Sequence, residues 1–178
     1  MREKTITIFG SSKPKDGDKE YDVAYKLGRS LGENNFDVCT GGYYGIMEAV
    51  SKGAVEANSD AIGITVKGWK SKANSFLTNE IKCDSLFERL NKLIEIGDAY
   101  VILQGGTGTL LELAAVWEFT NKSIMKPKPI ACHSSMWQGI TSIMNMQMQK
   151  EDRDTDIVRA FETVEDIVKY LCEKLENS

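Results

Sequence analysis

One stretch, residues 98–117, constrains the fold of this chain more than any other. It opens with Ala99 to Leu103, a short apolar run typical of a buried parallel strand, and it closes with apolar residues at helical spacing from Leu110 to Trp117. Between them lies the turn Gln-Gly-Gly-Thr-Gly-Thr, residues 104–109. A strand, a glycine turn and a helix in succession are typical of a parallel α/β sheet, in which such a turn lies at the carboxyl ends of the strands.

The glycine turn predicts an anion-binding site. Gly105, Gly106 and Gly108 permit positive φ and carry no Cβ, so a ligand can approach bare backbone N–H groups. The first N–H groups of a helix have no intrahelical partner and lie at the positive end of the helix dipole, which favours phosphate. Thr107 and Thr109 can add hydroxyl donors or cap the helix. We therefore expect this turn to hold a phosphate.

Glu112 follows about one turn inside the predicted helix, on the rim of the same site. A carboxylate repels phosphate, so we expect Glu112 to face the neighbouring sugar or a water. There a negative charge can accept hydrogen bonds or stabilise a developing cation. A second interpretation fits the spacing equally well: Thr109 is the N-cap and Glu112 its partner in a capping box.

The segment from Gln104 to Glu112 resembles the Pro-Gly-Gly-x-Gly-Thr-x-x-Glu signature of the Lonely Guy (LOG) phosphoribohydrolases, long mislabelled as lysine decarboxylases. The same superfamily contains the molybdenum cofactor carrier proteins. The resemblance extends from Ile6 to about Met144. It implies hydrolysis of the N-glycosidic bond of an AMP-like nucleoside 5′-monophosphate to free base and ribose 5-phosphate. It also implies a homodimer with sites near the interface.

Two further strand-to-turn segments carry the resemblance. Thr5 to Phe9 runs into Gly-Ser-Ser, and Phe36 to Thr40 runs into Gly-Gly-Tyr-Tyr-Gly-Ile-Met, which resembles the family's Gly-Gly-x-x-Gly-Leu-Met. Without the resemblance, an ordinary turn explains the first segment equally well. With it, the implied nucleotide-binding residues are Gly10, Ser11, Ser12, Gly41, Gly42, Gly45, Met47, Gly105, Gly106, Thr107, Gly108 and Thr109.

The predicted helix from Leu86 to Ile94 carries Arg89, which corresponds to the arginine of the family's Met-x-x-Arg-Lys motif. Its guanidinium is a fixed fork suited to a phosphate, a ribose edge or a carboxylate. From the residues alone, an exposed helix arginine paired with Glu88 is the simpler interpretation. The resemblance implies two catalytic residues: Arg89 holds the substrate and aids departure of the base, and Glu112 stabilises the oxocarbenium-like sugar and orients the water.

Three positions depart from the family pattern. Gln104 replaces proline, Leu90 replaces the lysine that follows the arginine, and Leu111 replaces the first acidic residue common in LOG proteins. These departures favour an alternative, a nucleotide or molybdenum cofactor carrier with the same crevice and no turnover. The lone His133, at the end of a predicted strand, is expected to be structural or exposed rather than catalytic.

Strand and helix candidates alternate along the whole chain. This order predicts an α/β fold, a single Rossmann-like, doubly wound parallel sheet with helices on both faces, and at this length one domain over residues 1–178. The expected strands are Thr5–Phe9, Phe36–Thr40, Ala61–Val66, Ile81–Cys83, Ala99–Leu103, Lys128–Cys132 and Asp156–Phe161.

Composition narrows the partners and the compartment. With 22 basic and 26 acidic residues the net charge is −4, so clustered positive charge for nucleic acid or a membrane surface is not expected. The four cysteines are scattered without a C-x-x-C pair, as in reduced cytosolic proteins. Without a signal peptide or an apolar run of about 18 residues, we expect a cytoplasmic protein. No cofactor and no metal ligand set is expected.

Overall fold

A computed structural model describes residues 4–175. Within this range strands and helices alternate along the chain as expected. The strands are β1 (Thr5–Phe9), β2 (Asp37–Thr40), β3 (Ala61–Val66), β4 (Asn79–Cys83), β5 (Ala99–Ile102), β6 (Ile130–His133) and β7 (Val158–Phe161). The helices are α1 (Lys19–Glu33), α2 (Ile46–Glu56), α3 (Leu86–Ile96), α4 (Thr107–Asn121), α5 (Ser135–Lys150) and α6 (Val164–Leu175).

The strands form one sheet in the order β4-β3-β2-β1-β5-β6-β7, and every pairing is parallel. The chain builds outward from β1 to β4 and then returns to place β5 on the other side of β1, where Phe9 pairs with Ile102. The strand order thus switches between β1 and β5. In open parallel sheets the carboxyl ends at such a switch form a crevice that binds ligands.

The helices cover both faces of the sheet. Helices α1, α2 and α6 bury one face around residues such as Leu27, Val50 and Leu171. Helices α3, α4 and α5 bury the other around Leu93, Val116 and Trp137. Successive residues of one strand point to opposite faces of the sheet and so enter different cores. Because both faces are covered, the sequence of such a strand is apolar throughout. The predicted doubly wound sheet is confirmed. The predicted single domain extends at both ends beyond the described residues and stays a prediction.

Two details of packing differ from the expectation. The predicted inward stripe of α4 included Leu110 and Ala114, but both are exposed, and the buried residues are Thr109, Leu113, Val116 and Trp117. Helix α4 is apolar on nearly all sides, so composition alone could not say which side faces the sheet. The amino terminus of α3 is also open, with Leu86 at 41% exposure.

Candidate functional site

A cavity of about 700 Å³ lies at the carboxyl edge of the sheet, beside the switch between β1 and β5. Its walls come from the loops after β1, β2, β3 and β5 and from helices α3 and α4. Separate segments predicted from the sequence therefore meet around one space. The predicted residues that line it are Gly10, Ser11, Ser12, Gly41, Met47, Arg89, Gly106, Thr107, Gly108, Thr109 and Glu112.

The turn after β5 delivers the start of α4 to this cavity. The helix begins at Thr107 with Gly106 as its N-cap, and the first backbone bond of the turn runs from the Leu110 N–H to the Gly106 carbonyl. The earlier N–H groups have no partner one turn back, so they are available to an anion. A Cβ at Gly106 or Gly108 would meet no atom within 4 Å, so both glycines border open space.

The glycines of this turn do not use the positive φ that their lack of a Cβ permits. Gly106 has a φ of −100°, and neither Gly105 nor Gly108 has a positive φ. Gly105 does not line the cavity; a Cβ there would lie 2.1 Å from Thr109 Oγ1, so its role is to let the turn pack on the helix. The glycines of this turn therefore provide space rather than unusual backbone angles.

Arg89 and Glu112 form an ion pair inside the cavity. Arg89 Nη1 lies 3.5 Å from Glu112 Oε1, and the two side chains are only 9% and 13% exposed. The capping-box interpretation of Glu112 is wrong, because the N-cap is Gly106 and Thr109 already lies within the helix. The interpretation of Arg89 as an exposed arginine paired with Glu88 is wrong for the same geometric reason: its side chain is buried against α4.

The start of α3 sets the position of Arg89. Ser85 caps the helix by accepting a hydrogen bond from the Glu88 N–H at 3.1 Å, and Glu88 in turn accepts one from the Asp84 N–H at 2.7 Å. Arg89 Nε donates a hydrogen bond to the carbonyl of Ile64, within β3, over 2.8 Å. The guanidinium is thus held by α3, by β3 and by the carboxylate of α4, which fixes its orientation.

Gly41 makes room for that guanidinium. A Cβ at Gly41 would lie 1.7 Å from Arg89 Nη2 and 2.7 Å from Met47 Sδ. Any other residue would therefore displace either the arginine or the methionine, both of which line the cavity. The lack of a side chain at position 41 leaves the space that the Arg89 guanidinium occupies.

The pKa of the Glu112 carboxyl group lies close to neutral pH. Burial raises the pKa of Glu112 to about 7, although the charge and hydrogen bonding of Arg89 act to lower it. A carboxyl with such a pKa exchanges its proton near neutral pH, so it can both accept and donate one. This is the behaviour required of a group that takes a proton from water and passes it on.

The other two predicted glycines lie behind the cavity wall. Gly42 and Gly45 do not line the cavity, but both have positive φ, 78° and 68°. A Cβ on Gly45 would lie 2.5 Å from the Ser11 carbonyl oxygen, which accepts a hydrogen bond from the Ile46 N–H at 2.9 Å. Gly45 thus lets the turn after β2 pack on the loop after β1, and Gly42, whose Cβ would lie 2.9 Å from Thr65 Cγ2, lets the same turn pack on β3. Direct ligand contact is not the role that their positions indicate.

The aromatic residues of the cavity wall were not predicted as site residues from the sequence. Tyr43 and Tyr44 fill the variable positions of the second glycine turn, and Trp69 comes from the loop between β3 and β4. An isolated tryptophan in a polar loop was the available signal for the last of these. His133, by contrast, lies outside this cavity, and its Nε2 is 3.0 Å from the Glu162 carbonyl oxygen.

The fold and the cavity define a Rossmann-like α/β protein with a candidate ligand site at its topological switch point. A model of the SLOG cluster4 family matches residues 3–166, and the chain belongs to that family. The predicted relationship to LOG proteins is confirmed.

Two relatives and one solved structure illustrate the relationship. The chain is 32% identical over 72% of its length to the cytokinin riboside 5′-monophosphate phosphoribohydrolase LOG of Oryza sativa subsp. japonica, covering 54% of that protein. It is 26% identical over 64% of its length to a cytokinin riboside 5′-monophosphate phosphoribohydrolase of Rhodococcoides fascians, covering 59% of it. The chain thus spans somewhat over half the length of either phosphoribohydrolase.

The structural likeness covers nearly the whole chain. The molybdenum cofactor binding protein of Rippkaea orientalis superimposes with a TM-score of 0.77 at 20% identity, over 98% of this chain and 99% of that one. At this identity the likeness shows the fold alone.

In residues 4–175 no helix is long and apolar enough to cross a bilayer. The same residues contain no group of three or more His, Cys, Asp or Glu side chains placed to hold a metal ion. A cytoplasmic location and the lack of a nucleic-acid partner stay predictions.

Proposed function

We propose that this protein hydrolyses the N-glycosidic bond of a nucleoside 5′-monophosphate and releases a free base and ribose 5-phosphate. The observation that carries the proposal is the buried pair of Glu112 and Arg89 in the same cavity as the open start of α4. A phosphate held at residues 106–109 places the attached pentose near the next turn of the helix, which is about 5 Å further along its axis. Glu112 stands on that turn and faces the cavity. Distant relatives named as phosphoribohydrolases support the same activity.

The reaction needs a group that stabilises positive charge on the sugar and also accepts a proton from water. As the bond between C1′ and the base nitrogen breaks, positive charge develops on the sugar, and the ionised Glu112 stabilises it. A water oxygen then bonds to C1′, and Glu112 accepts the proton that the water loses. Glu112 passes this proton to the nitrogen of the departing base and is ionised again, while Arg89 hydrogen-bonds the base side of the substrate and balances the charge of the carboxylate. The pKa of Glu112 near 7 suits both proton transfers.

The test is release of adenine from AMP, followed by chromatography. Glu112→Gln keeps the shape and removes the charge, so we expect adenine release to fall by about 100-fold or more. The matched control is Glu118→Gln, which changes an acid on the same helix whose side chain is half exposed and which does not line the cavity. Adenine release by Glu112→Gln at the rate of the unmutated protein would refute the assigned role.

The pH profile of kcat/KM provides a second readout of the same residue. Because the ionised carboxylate is the form that accepts the proton, kcat/KM should rise with pH and level off above about 7. The residual activity of Glu112→Gln should lack this rise. A wild-type profile that is flat between pH 5 and pH 8, spanning the pKa of about 7, would separate Glu112 from the reaction.

A second candidate is a nucleotide or molybdenum cofactor carrier without turnover. Leu90 and Leu111 favour it, because both line the cavity at positions where LOG proteins have a lysine and an acidic residue. Leu90 is also buried, so no charge replaces the missing lysine there. Tight AMP binding with no adenine released over a long incubation would decide for the carrier.

We further propose that the protein is a homodimer with the cavity near the interface. Large apolar side chains are exposed on α3 and α4, where Leu86 is 41%, Leu110 42%, Leu111 42% and Phe87 73% exposed. Leu86 and Leu111 also line the cavity. Apolar surface of this kind beside a site favours association. Size-exclusion chromatography with light scattering at micromolar concentration should give twice the monomer mass; a monomer would contradict the proposal.

A further inference from the structure

Two aromatic side chains from different loops form a stack on one wall of the cavity. Tyr43, in the turn after β2, and Trp69, in the loop between β3 and β4, lie with ring centroids 5.7 Å apart and planes inclined by 19°. Both line the cavity, but Tyr43 is only 5% exposed whereas Trp69 is 47% exposed. The inner ring is thus covered by the outer one, and the indole of Trp69 keeps an open surface.

The inner ring is held firmly in place. Tyr43 Oη accepts a hydrogen bond from the Val66 N–H at 2.8 Å, at the end of β3. The buried Asn74 donates from its side chain to the Tyr43 carbonyl and from its backbone to the Gly42 carbonyl, both over 2.9 Å. The loop that carries Trp69 is thereby tied to the turn that carries Tyr43. A surface fixed in advance loses little conformational entropy when a ligand stacks on it.

The stack is connected to the reacting groups through Arg89. The guanidinium carbon of Arg89 lies 5.7 Å from the centroid of Tyr43 and 5.9 Å from that of Trp69, within the range of cation–π attraction. The same guanidinium pairs with Glu112. A planar group stacked on the open indole surface would therefore lie next to the arginine, with its sugar next to the carboxylate.

We infer that the open indole surface of Trp69 stacks on the base of the nucleotide and makes the site prefer a flat bicyclic heterocycle, a purine, over a single-ring base. This inference rests on the proposed function for the nature of the ligand. Stacking strength grows with the overlapping ring area, so a purine gains more than a pyrimidine. Trp69 is then a residue that determines specificity, whereas the start of α4 binds the phosphate of any such ligand.

The test compares ligands with and without a base, by calorimetry in the Glu112→Gln background so that no substrate is consumed. Trp69→Ala should weaken AMP binding by about 5- to 150-fold, the range of a lost base–aromatic stack. It should leave the affinity for ribose 5-phosphate unchanged, since that ligand has no base to stack. Trp69→Phe should keep most of the affinity for AMP, and its preference for AMP over CMP should exceed that of Trp69→Ala. Lys70→Ala, an exposed change in the same loop, is the matched control.

Fluorescence gives a readout that a purely structural role would not move. Of the three tryptophans, Trp117 and Trp137 are 7% and 1% exposed, so quenching by AMP should come from Trp69. AMP should quench the emission of the protein with Trp69 present and not that of Trp69→Phe, and ribose 5-phosphate should quench neither.

Full AMP affinity in Trp69→Ala would overturn the inference, even if adenine is released. Loss of AMP affinity in Trp69→Ala without any adenine release by the unmutated protein would support the stacking and reject the hydrolase.

Discussion

The two main glycine turns of this cavity have similar composition and different physical roles. In the turn after β2, the glycines are required by the protein itself, since Gly42 and Gly45 have positive φ and a Cβ on Gly41 would overlap Arg89. In the turn after β5, Gly106 and Gly108 have ordinary backbone angles and open space where a Cβ would stand. The first turn therefore builds the wall, and the second leaves room for a ligand. Alanine substitutions should separate these roles.

Gly45→Ala should have the largest effect on stability. It combines a left-handed φ of 68° with a Cβ that would lie 2.5 Å from the Ser11 carbonyl oxygen. We expect a loss of about 3 kcal/mol or more in the free energy of unfolding and a fall of about 6–12 °C in Tm. Gly68→Ala is the control, because Gly68 has a φ of 78° but no atom within 4 Å of the added Cβ. Its cost should be about 1–2 kcal/mol, the cost of the backbone alone. Equal losses for the two variants would show that the Ser11 contact does not matter.

Gly41→Ala should damage the site more than the fold. The added Cβ conflicts chiefly with the end of the Arg89 side chain, which can move aside at modest cost to stability. That movement separates Arg89 from Glu112, and we expect the rate of adenine release to fall by about 100-fold, as for other small displacements of catalytic groups. Thermal unfolding and the chromatographic assay measure the two effects on one sample. An unchanged rate would mean that the ion pair is not needed.

Gly108→Ala should have the smallest effect, and only on binding. The position lies in the first turn of α4, where alanine favours the helix, so the free energy of unfolding should change by no more than about 1 kcal/mol. The new methyl group enters the open space beside the helix start, and we expect AMP and inorganic phosphate to bind about 10-fold more weakly, or about 1.4 kcal/mol. Gly139→Ala is the control: it also meets no atom within 4 Å, but it lies on α5 outside the cavity. AMP binding to Gly108→Ala with wild-type affinity would show that the phosphate lies elsewhere.

The sequence was sufficient for the architecture because each strand carries its own signal. Alternation of apolar strands and amphipathic helices predicted the doubly wound sheet, and the third strand was placed at Ala61–Val66 with the bounds that the structure has. Glycine turns marked where the strands end. The start of β4 was placed two residues late, because this edge strand begins with exposed residues and its apolar signal is weak.

The contacts within the site were beyond the sequence for a physical reason. Arg89 and Glu112 lie on different helices, and their pairing depends on where the order of the strands switches. The same holds for Tyr43 and Trp69, which stack although they come from two different loops that the buried Asn74 ties together. Local sequence patterns predict which segments form turns, but they do not determine how far apart two turns lie in the folded chain.

A crystal structure of Glu112→Gln with AMP bound would show directly where the nucleotide lies. We expect the phosphate oxygens to accept hydrogen bonds from the backbone N–H groups at residues 106–109, with C1′ of the ribose next to the side chain at position 112. A phosphate bound at another loop, or a ribose whose C1′ points away from position 112, would contradict this expectation.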